Sequence, residues 1–201
     1  MQPESQSERV LALARQKGLL RPTDLPDVDV ARVVLTRLLK TGHLEKVDRG
    51  LYRLPATQAS EFETLNTVAA KVPRAVFCLL TALRFHGLTT QSPRQIWIAM
   101  PRGSHVPDIE YPPLKMVQVL VATFDQGIET HERDQVKLRV YSVARTLADC
   151  FKFRNKIGID VAIEALKDAR AQQKVSADEL WHYSKVCRVT NVIRPYLEAL
   201  E

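Results

Sequence analysis

Between Asp29 and Arg53 the chain carries basic and hydrogen-bonding side chains at spacings suited to reading a nucleic acid. On a helical wheel of about 100° per residue, Val30, Ala31, Val34, Leu35, Leu38 and Leu39 form a broad apolar stripe. Asp29, Arg32, Thr36 and Lys40 cluster opposite it, with Val33 and Arg37 at the edge. A helix with a cationic outer face suits a major groove. Arg makes bidentate hydrogen bonds to guanine, Thr donates or accepts, and Val33 can touch a thymine methyl. Farther on, Lys46, Arg49 and Arg53 belong to a strand–turn–strand segment, with Arg49 at the tip. There it would meet phosphate or minor groove. Residues 30–53 hold six bases and two acids, so this face is cationic. Exposed helices are commonly charged, however, and units of this kind also bind proteins. A protein-interaction module without DNA binding is therefore the alternative reading of the same residues.

A second group is sparser. Arg145 and Asp149 stand four apart on one predicted helix and can form an ion pair, with Thr146 beside them. They read either as a helix-start Arg bracing a loop or as residues acting directly in function. His86 precedes Gly87 at a predicted helix end, where an imidazole can meet terminal carbonyls. His43 reads as a strand-start residue. Of three cysteines, Cys78 and Cys150 sit in apolar settings and read as reduced core thiols, and no C-x-x-C pair exists. The chain lacks H-E-x-x-H, G-x-x-x-x-G-K-[ST] and G-x-S-x-G. The nearest approach to a restriction-type nuclease is Pro107-Asp108 with Gln135-Val-Lys137, which puts Gln where an acid is needed. A nuclease guided by the basic helix is the rival from another class. No catalytic residue, metal or cofactor is expected.

The elements that must position these residues follow from periodicity and punctuation. Glu8–Lys17 predicts a helix stopped by Gly18, and Pro22–Leu25 a short second one. A third runs from an Asp29 N-cap to Thr41, with Gly42 as C′. His43–Val47 and Leu51–Leu54 flank Asp48-Arg-Gly50 as a hairpin. Three helices and a hairpin is the order of a winged helix-turn-helix. Ala56–Ser60 reads as a linker. Beyond it, helices are expected at 61–71 and 75–86, and strands at 96–100, 116–124 and 136–141. Residues 101–113, with four prolines and one glycine, must be loop. Helices follow at 143–156, 160–171, 177–186 and 192–200, with Ser176 and Glu179 placed for a capping box.

These elements predict an α+β chain: a winged helix-turn-helix at 1–55, a linker at 56–60, and a mixed α/β domain at 61–201 ending in a helical bundle. The 201 residues suffice for one large domain or two small ones, and 45% hydrophobic content excludes disorder throughout. No apolar run approaches the ~20 residues that span a bilayer, and the first residues lack an apolar leader. A cytoplasmic protein is expected. The net charge is +6, and it is blocked along the second part. Lys71–His105 has five bases and no acid, 106–132 one base and five acids, and 133–156 seven bases and two acids. The basic blocks can form a second anion-binding surface or an idle solvated one.

Arg49-Gly-Leu-Tyr-Arg-Leu-Pro55 resembles the wing of AbiEi-type antitoxins. Residues 78–88, Cys-Leu-Leu-Thr-Ala-Leu-Arg-Phe-His-Gly-Leu, are similar to the helix opening that family's C-terminal domain. Residues 140–149, Val-Tyr-Ser-Val-Ala-Arg-Thr-Leu-Ala-Asp, are similar to its later motif, departing at Val143-Ala144, where many relatives have Ser/Thr-Pro. The resemblance implies an antitoxin of a type IV toxin–antitoxin system, tied to abortive infection in phage defence. It implies that the winged helix represses its own operon at inverted repeats, as a monomer in solution that places two copies on each operator. It implies that the C-terminal domain counters a nucleotidyltransferase-like toxin, without necessarily forming a stable complex. His86, Arg145, Thr146 and Asp149 are then the candidates for antitoxicity.

Overall fold

The computed structural model describes residues 5–55 and 60–199, so the expected linker lies outside them except for Ser60. The chain is an α+β protein and forms two compact units. One comprises residues 1–73 and 131–138, the other 74–130 and 139–201. This division differs from the expected break at 56–60. Residues 61–73 pack with the first unit because charged side chains tie them there.

In the first unit, α1 (Gln6–Lys17) begins at a capping box. Ser5 Oγ accepts from the Glu8 backbone N–H, and Glu8 accepts from that of Ser5. Gly18 ends the helix at φ +69, and a Cβ there would lie 2.1 Å from the Asp134 carbonyl oxygen. A 3-10 helix at Pro22–Val28 follows. Burial alone would raise the pKa of its Asp24. Hydrogen bonds from Arg21 and Lys17 overcome that and hold the carboxyl below its ordinary value. The third helix, α2 (Val33–Lys40), is shorter than expected. Asp29 is not its N-cap but a left-handed residue, φ +51, closing the 3-10 helix. Asp tolerates that conformation, which its sequence position did not reveal. Val10, Leu13, Leu20, Leu25, Val34, Leu35, Leu38 and Leu44 form this unit's core.

The hairpin is β1 (Glu45–Asp48) and β2 (Leu51–Arg53), antiparallel with a bulge between Lys46 and Asp48. Gly50, φ +69, supplies the turn. Tyr52 bridges Leu20 through two backbone hydrogen bonds of 2.8 and 2.9 Å, joining the hairpin to the helices. Next comes α3 (Glu63–Lys71). The 131–138 hairpin tip turns through Asp134 and Gln135, both at positive φ. Its Asp134 carboxylate accepts from Asn66 Nδ2 at 2.8 Å and from Ser60 Oγ.

Residues 76–141 carry a mixed five-stranded sheet. Its strands are β3 (Val76–Phe77), β4 (Ile96–Pro101), β5 (Leu114–Val119), β6 (Ile128–Arg133) and β7 (Val136–Tyr141). Their order is β5-β4-β3-β7-β6, with β3 antiparallel to β4 and parallel to β7, and β4 parallel to β5. Two expectations are corrected. The apolar run 75–86 is not one helix: Val76–Phe77 is a central strand, and α4 spans only Leu79–Phe85. A short apolar run fits a buried strand or a buried helix equally well, and here the sheet takes it. Strand β5 ends at Val119, and Val121–Phe124 turns into a helical segment, α5. Strand β6 was unforeseen. It is an edge strand bearing Glu129, Glu132 and Arg133, which lacks the alternation that marks a half-buried strand.

Helices α6 (Val143–Lys152), α7 (Arg154–Ile157), α8 (Ile159–Ala171), α9 (Ala177–Val186) and α10 (Thr190–Glu198) complete the second unit. The stretch expected as one helix at 143–156 breaks at Phe153. The Ser176–Glu179 capping box forms as expected. Every residue of α6 from Ala144 to Phe151 is buried, and α4, α8 and α9 all pack on this helix. Val76, Trp97, Ala99, Val117 and Tyr141 of the sheet face Leu83, Leu147, Phe151, Leu166 and Leu180 in its core.

Candidate nucleic-acid interface

Helix α2 buries Val34, Leu35 and Leu38 and leaves Arg32, Val33, Thr36, Arg37 and Lys40 in solvent. The amphipathic spacing of the sequence dictates this split. Val33 is 70% exposed, a large apolar side chain with no packing role in the unit. Arg32 stands just before the first turn, as N-cap residue. Lys46 and Arg49 of the hairpin are exposed, Arg49 at the turn. None of the five basic residues among them bears an ion pair with a carboxylate among the described residues. Their free donors can engage phosphates and base edges.

Arg53 is different. Its guanidinium pairs with Glu45 across the hairpin and, at 2.9 Å, with Glu63 of α3. Those carboxylates, Glu45 first, raise its pKa and hold the side chain half-buried. At the other end of α3, Lys71 pairs with Asp48 in the hairpin turn, and its hydrogen bond is the main cause of that carboxyl's lowered pKa. Arg21 Nη1 also donates to the Ala70 carbonyl at 3.2 Å. Helix α3 therefore braces the hairpin at both ends. Glu63 and Lys71 were missed because ten and 23 residues separate them from their partners, and no local pattern marks such pairs. His43 meets Thr41 Oγ1 at 2.8 Å beside the hairpin.

The second group of candidates converges in the other unit, out of solvent. Arg145 Nε donates to Asp149 Oδ2 at 2.9 Å, the expected pair. Arg145 Nη1 donates to the carbonyls of Thr123 and Gln126, both at 2.8 Å, so the side chain does brace a loop. Its guanidinium lies 4.5 Å from the Tyr141 ring centroid, and Nη2 is buried without a hydrogen-bond partner. Tyr141 Oη donates to the Phe124 carbonyl at 2.8 Å, holding the same turn. The Tyr141 carbonyl accepts from Thr146 Oγ1 at 3.1 Å and from His86 Nε2 at 2.7 Å. His86 thus meets the end of a strand. Cys187 donates to the other Asp149 oxygen at 3.3 Å. Burial alone would lower the Arg145 pKa, but the Asp149 charge leads the interactions that raise it, and the side chain stays cationic. Arg145 and Thr146 are fully buried and Asp149 nearly so, and none can touch a partner in this conformation. Arg145 holds the turn 121–126, Asp149 holds Arg145, and Thr146 bonds to the end of β7.

Residues 8–55 match a family described as transcriptional regulator, AbiEi antitoxin. That segment holds α2 and the hairpin. The match covers 48 of the 201 residues, all of them in the first unit. Comparison with curated proteins gives no match. Among solved structures, the chain is similar to the RV2827C protein from Mycobacterium tuberculosis. The two share 16% identity with a TM-score of 0.55, over 89% of this chain and 70% of that one. The likeness concerns the fold alone. Among the described residues no helix is long and apolar enough to cross a membrane.

Proposed function

We propose that the chain is the antitoxin of a type IV toxin–antitoxin system, acting in the cytoplasm, and represses its own operon. The first unit binds inverted repeats in the operator, one copy of a monomeric protein on each repeat. Helix α2 enters the major groove, where Arg32 and Arg37 read guanine edges, Thr36 and Val33 read neighbouring bases, and Lys40 holds phosphate. Lys46 and Arg49 touch the backbone or minor groove on the flank. Arg53 makes no DNA contact in this account and instead fixes the hairpin to α3. The observation that carries the reading is the unpaired, solvent-exposed cationic face of α2 and the hairpin within the matched segment.

The remainder of the chain counters a nucleotidyltransferase-like toxin, in abortive infection. His86, Arg145, Thr146 and Asp149 serve that activity by holding the second unit's surface in shape. A promoter–reporter assay paired with a toxin co-expression growth assay tests the division of labour. Arg37→Ala should relieve repression and leave rescue from the toxin intact. Loss of rescue together with repression would show that the two activities share one site, and the assignment would be wrong.

A further inference from the structure

A fully buried guanidinium is expensive to desolvate, and here it fixes one short surface turn. Arg145 and Tyr141 hold the turn from inside, through the carbonyls of Thr123, Phe124 and Gln126. On the outside the turn forms one wall of an open groove of about 540 Å³. Arg74, Arg102, Arg139 and Val121 are among the residues that line it. Val121 is 69% exposed and the adjoining Leu120 41%, two of the few large apolar side chains left in solvent. The Arg102 backbone N–H donates to the Val119 carbonyl at 2.7 Å, so that arginine stands beside the apolar pair. Arg139 is engaged by Asp125 at 3.2 Å. Arg74 and Arg102 are exposed and have no carboxylate partner among the described residues.

We propose that this groove docks an acidic, partly apolar segment of a protein partner. Two carboxylates of the segment pair with Arg74 and Arg102, and an apolar side chain covers Leu120 and Val121. The composition of the groove argues for a polypeptide over a nucleic acid. A phosphodiester backbone is a continuous polyanion, and Asp125, 79% exposed on the rim, would repel it while occupying Arg139. It would also leave the apolar pair in water. A peptide has separate charges and apolar side chains, and satisfies both features of the groove. Arg145 is a positioning residue here: it preorganises the wall without touching the partner. The partner is defined by this chemistry alone, and the docking does not depend on the antitoxin reading proposed above.

The test uses the full chain with three labelled probes of equal length and charge: an alternating Glu–Leu peptide, a Glu–Ser peptide and a single-stranded oligonucleotide. The variants are Arg74→Glu/Arg102→Glu and Val121→Asp, all at exposed positions, each checked for an unchanged melting temperature. The wild type should bind the Glu–Leu peptide several-fold more tightly than the Glu–Ser peptide. The double arginine variant should weaken both at least tenfold, and Val121→Asp should abolish the difference between them. Peptide affinities unaffected by these variants would overturn the proposal. So would binding of the oligonucleotide, in preference to either peptide, that the arginine variant abolishes. A toxin co-expression growth assay on the same proteins separates the two readings. If the peptide pattern holds while the wild type fails to rescue growth, the groove stands and the antitoxin assignment falls.

Discussion

Arg145 Nε lies 2.9 Å from Asp149 Oδ2, one turn along the same helix, with both side chains shut off from solvent. The pair sits where α6 meets the 121–126 turn, and each partner has further bonds: two carbonyls for the arginine, a thiol for the aspartate. Removing one partner leaves the other charge stranded. Asp149→Ala should therefore destabilise the protein by about 3–5 kcal/mol in denaturant unfolding. Replacing both by apolar residues of similar volume should cost much less. A loss below about 1 kcal/mol in Asp149→Ala would contradict the pair's structural role.

The bracing of the hairpin by α3 gives a pH signature. Asp48 is held below the ordinary carboxylate range, first by Lys71 and then by the Arg49 backbone N–H. A carboxylate with a lower pKa folded than unfolded adds stability above its unfolded value, roughly 4. That stability is lost as the pH falls through the folded value. Lys71→Met should raise the NMR titration midpoint of Asp48. It should also be less stable than wild type at pH 7, with the gap closing in acid. An unmoved midpoint would show that Lys71 does not engage Asp48 in solution.

The same bracing sets the smallest fragment that holds the hairpin in place. A fragment ending at residue 60 lacks α3 and loses Lys71, which pairs with Asp48, and Glu63, one of the two carboxylates that pair with Arg53. Extension to residue 73 should raise its melting temperature and the hydrogen-exchange protection of the hairpin amides. Equal protection in the two fragments would argue against α3 as a brace.

Much of this arrangement was legible in the residues. The amphipathic spacing of 30–40 placed Arg32, Thr36 and Arg37 outside and Leu35 and Leu38 inside, and the structure agrees. Asp48-Arg-Gly50 marked the turn because Gly takes positive φ freely. The Arg145–Asp149 pair followed from helical geometry alone. What failed was long-range. Val76–Phe77 became a strand because two neighbouring strands hydrogen-bond to it, which no local window reveals. Arg53 carried the signature of a DNA contact until α3 brought Glu63 to it. Nine residues of intervening chain hid that pairing.

The three thiols supply a chemical test of the core. Cys78, Cys150 and Cys187 are buried, and burial is the largest cause of the raised pKa of each. Thiolate is the reactive form, so a thiol reagent at pH 8 should label none of the three in the native protein and all of them in denaturant. Fast native labelling of Cys187 would mean that the seam between α6 and α9 opens readily.

The hairpin and the helix should differ in how they serve DNA binding. Arg49→Ala should weaken binding about equally across sequences and reduce the salt slope by roughly one unit. A change in base preference without a change in salt dependence would put Arg49 in the major groove instead.

The central claim is sequence-specific DNA binding through the exposed face of α2. The most direct measurement is the affinity of the full chain, at fixed salt, for duplex DNA from upstream of its own gene. A scrambled duplex of equal length is the reference, and wild type is compared with Arg37→Ala. The upstream duplex should bind at least a thousandfold tighter than the scrambled one. Arg37→Ala should lose about 1–3 kcal/mol on the first and little on the second. Equal affinity of the wild type for both duplexes, or an Arg37→Ala variant that discriminates as well as wild type, would contradict it.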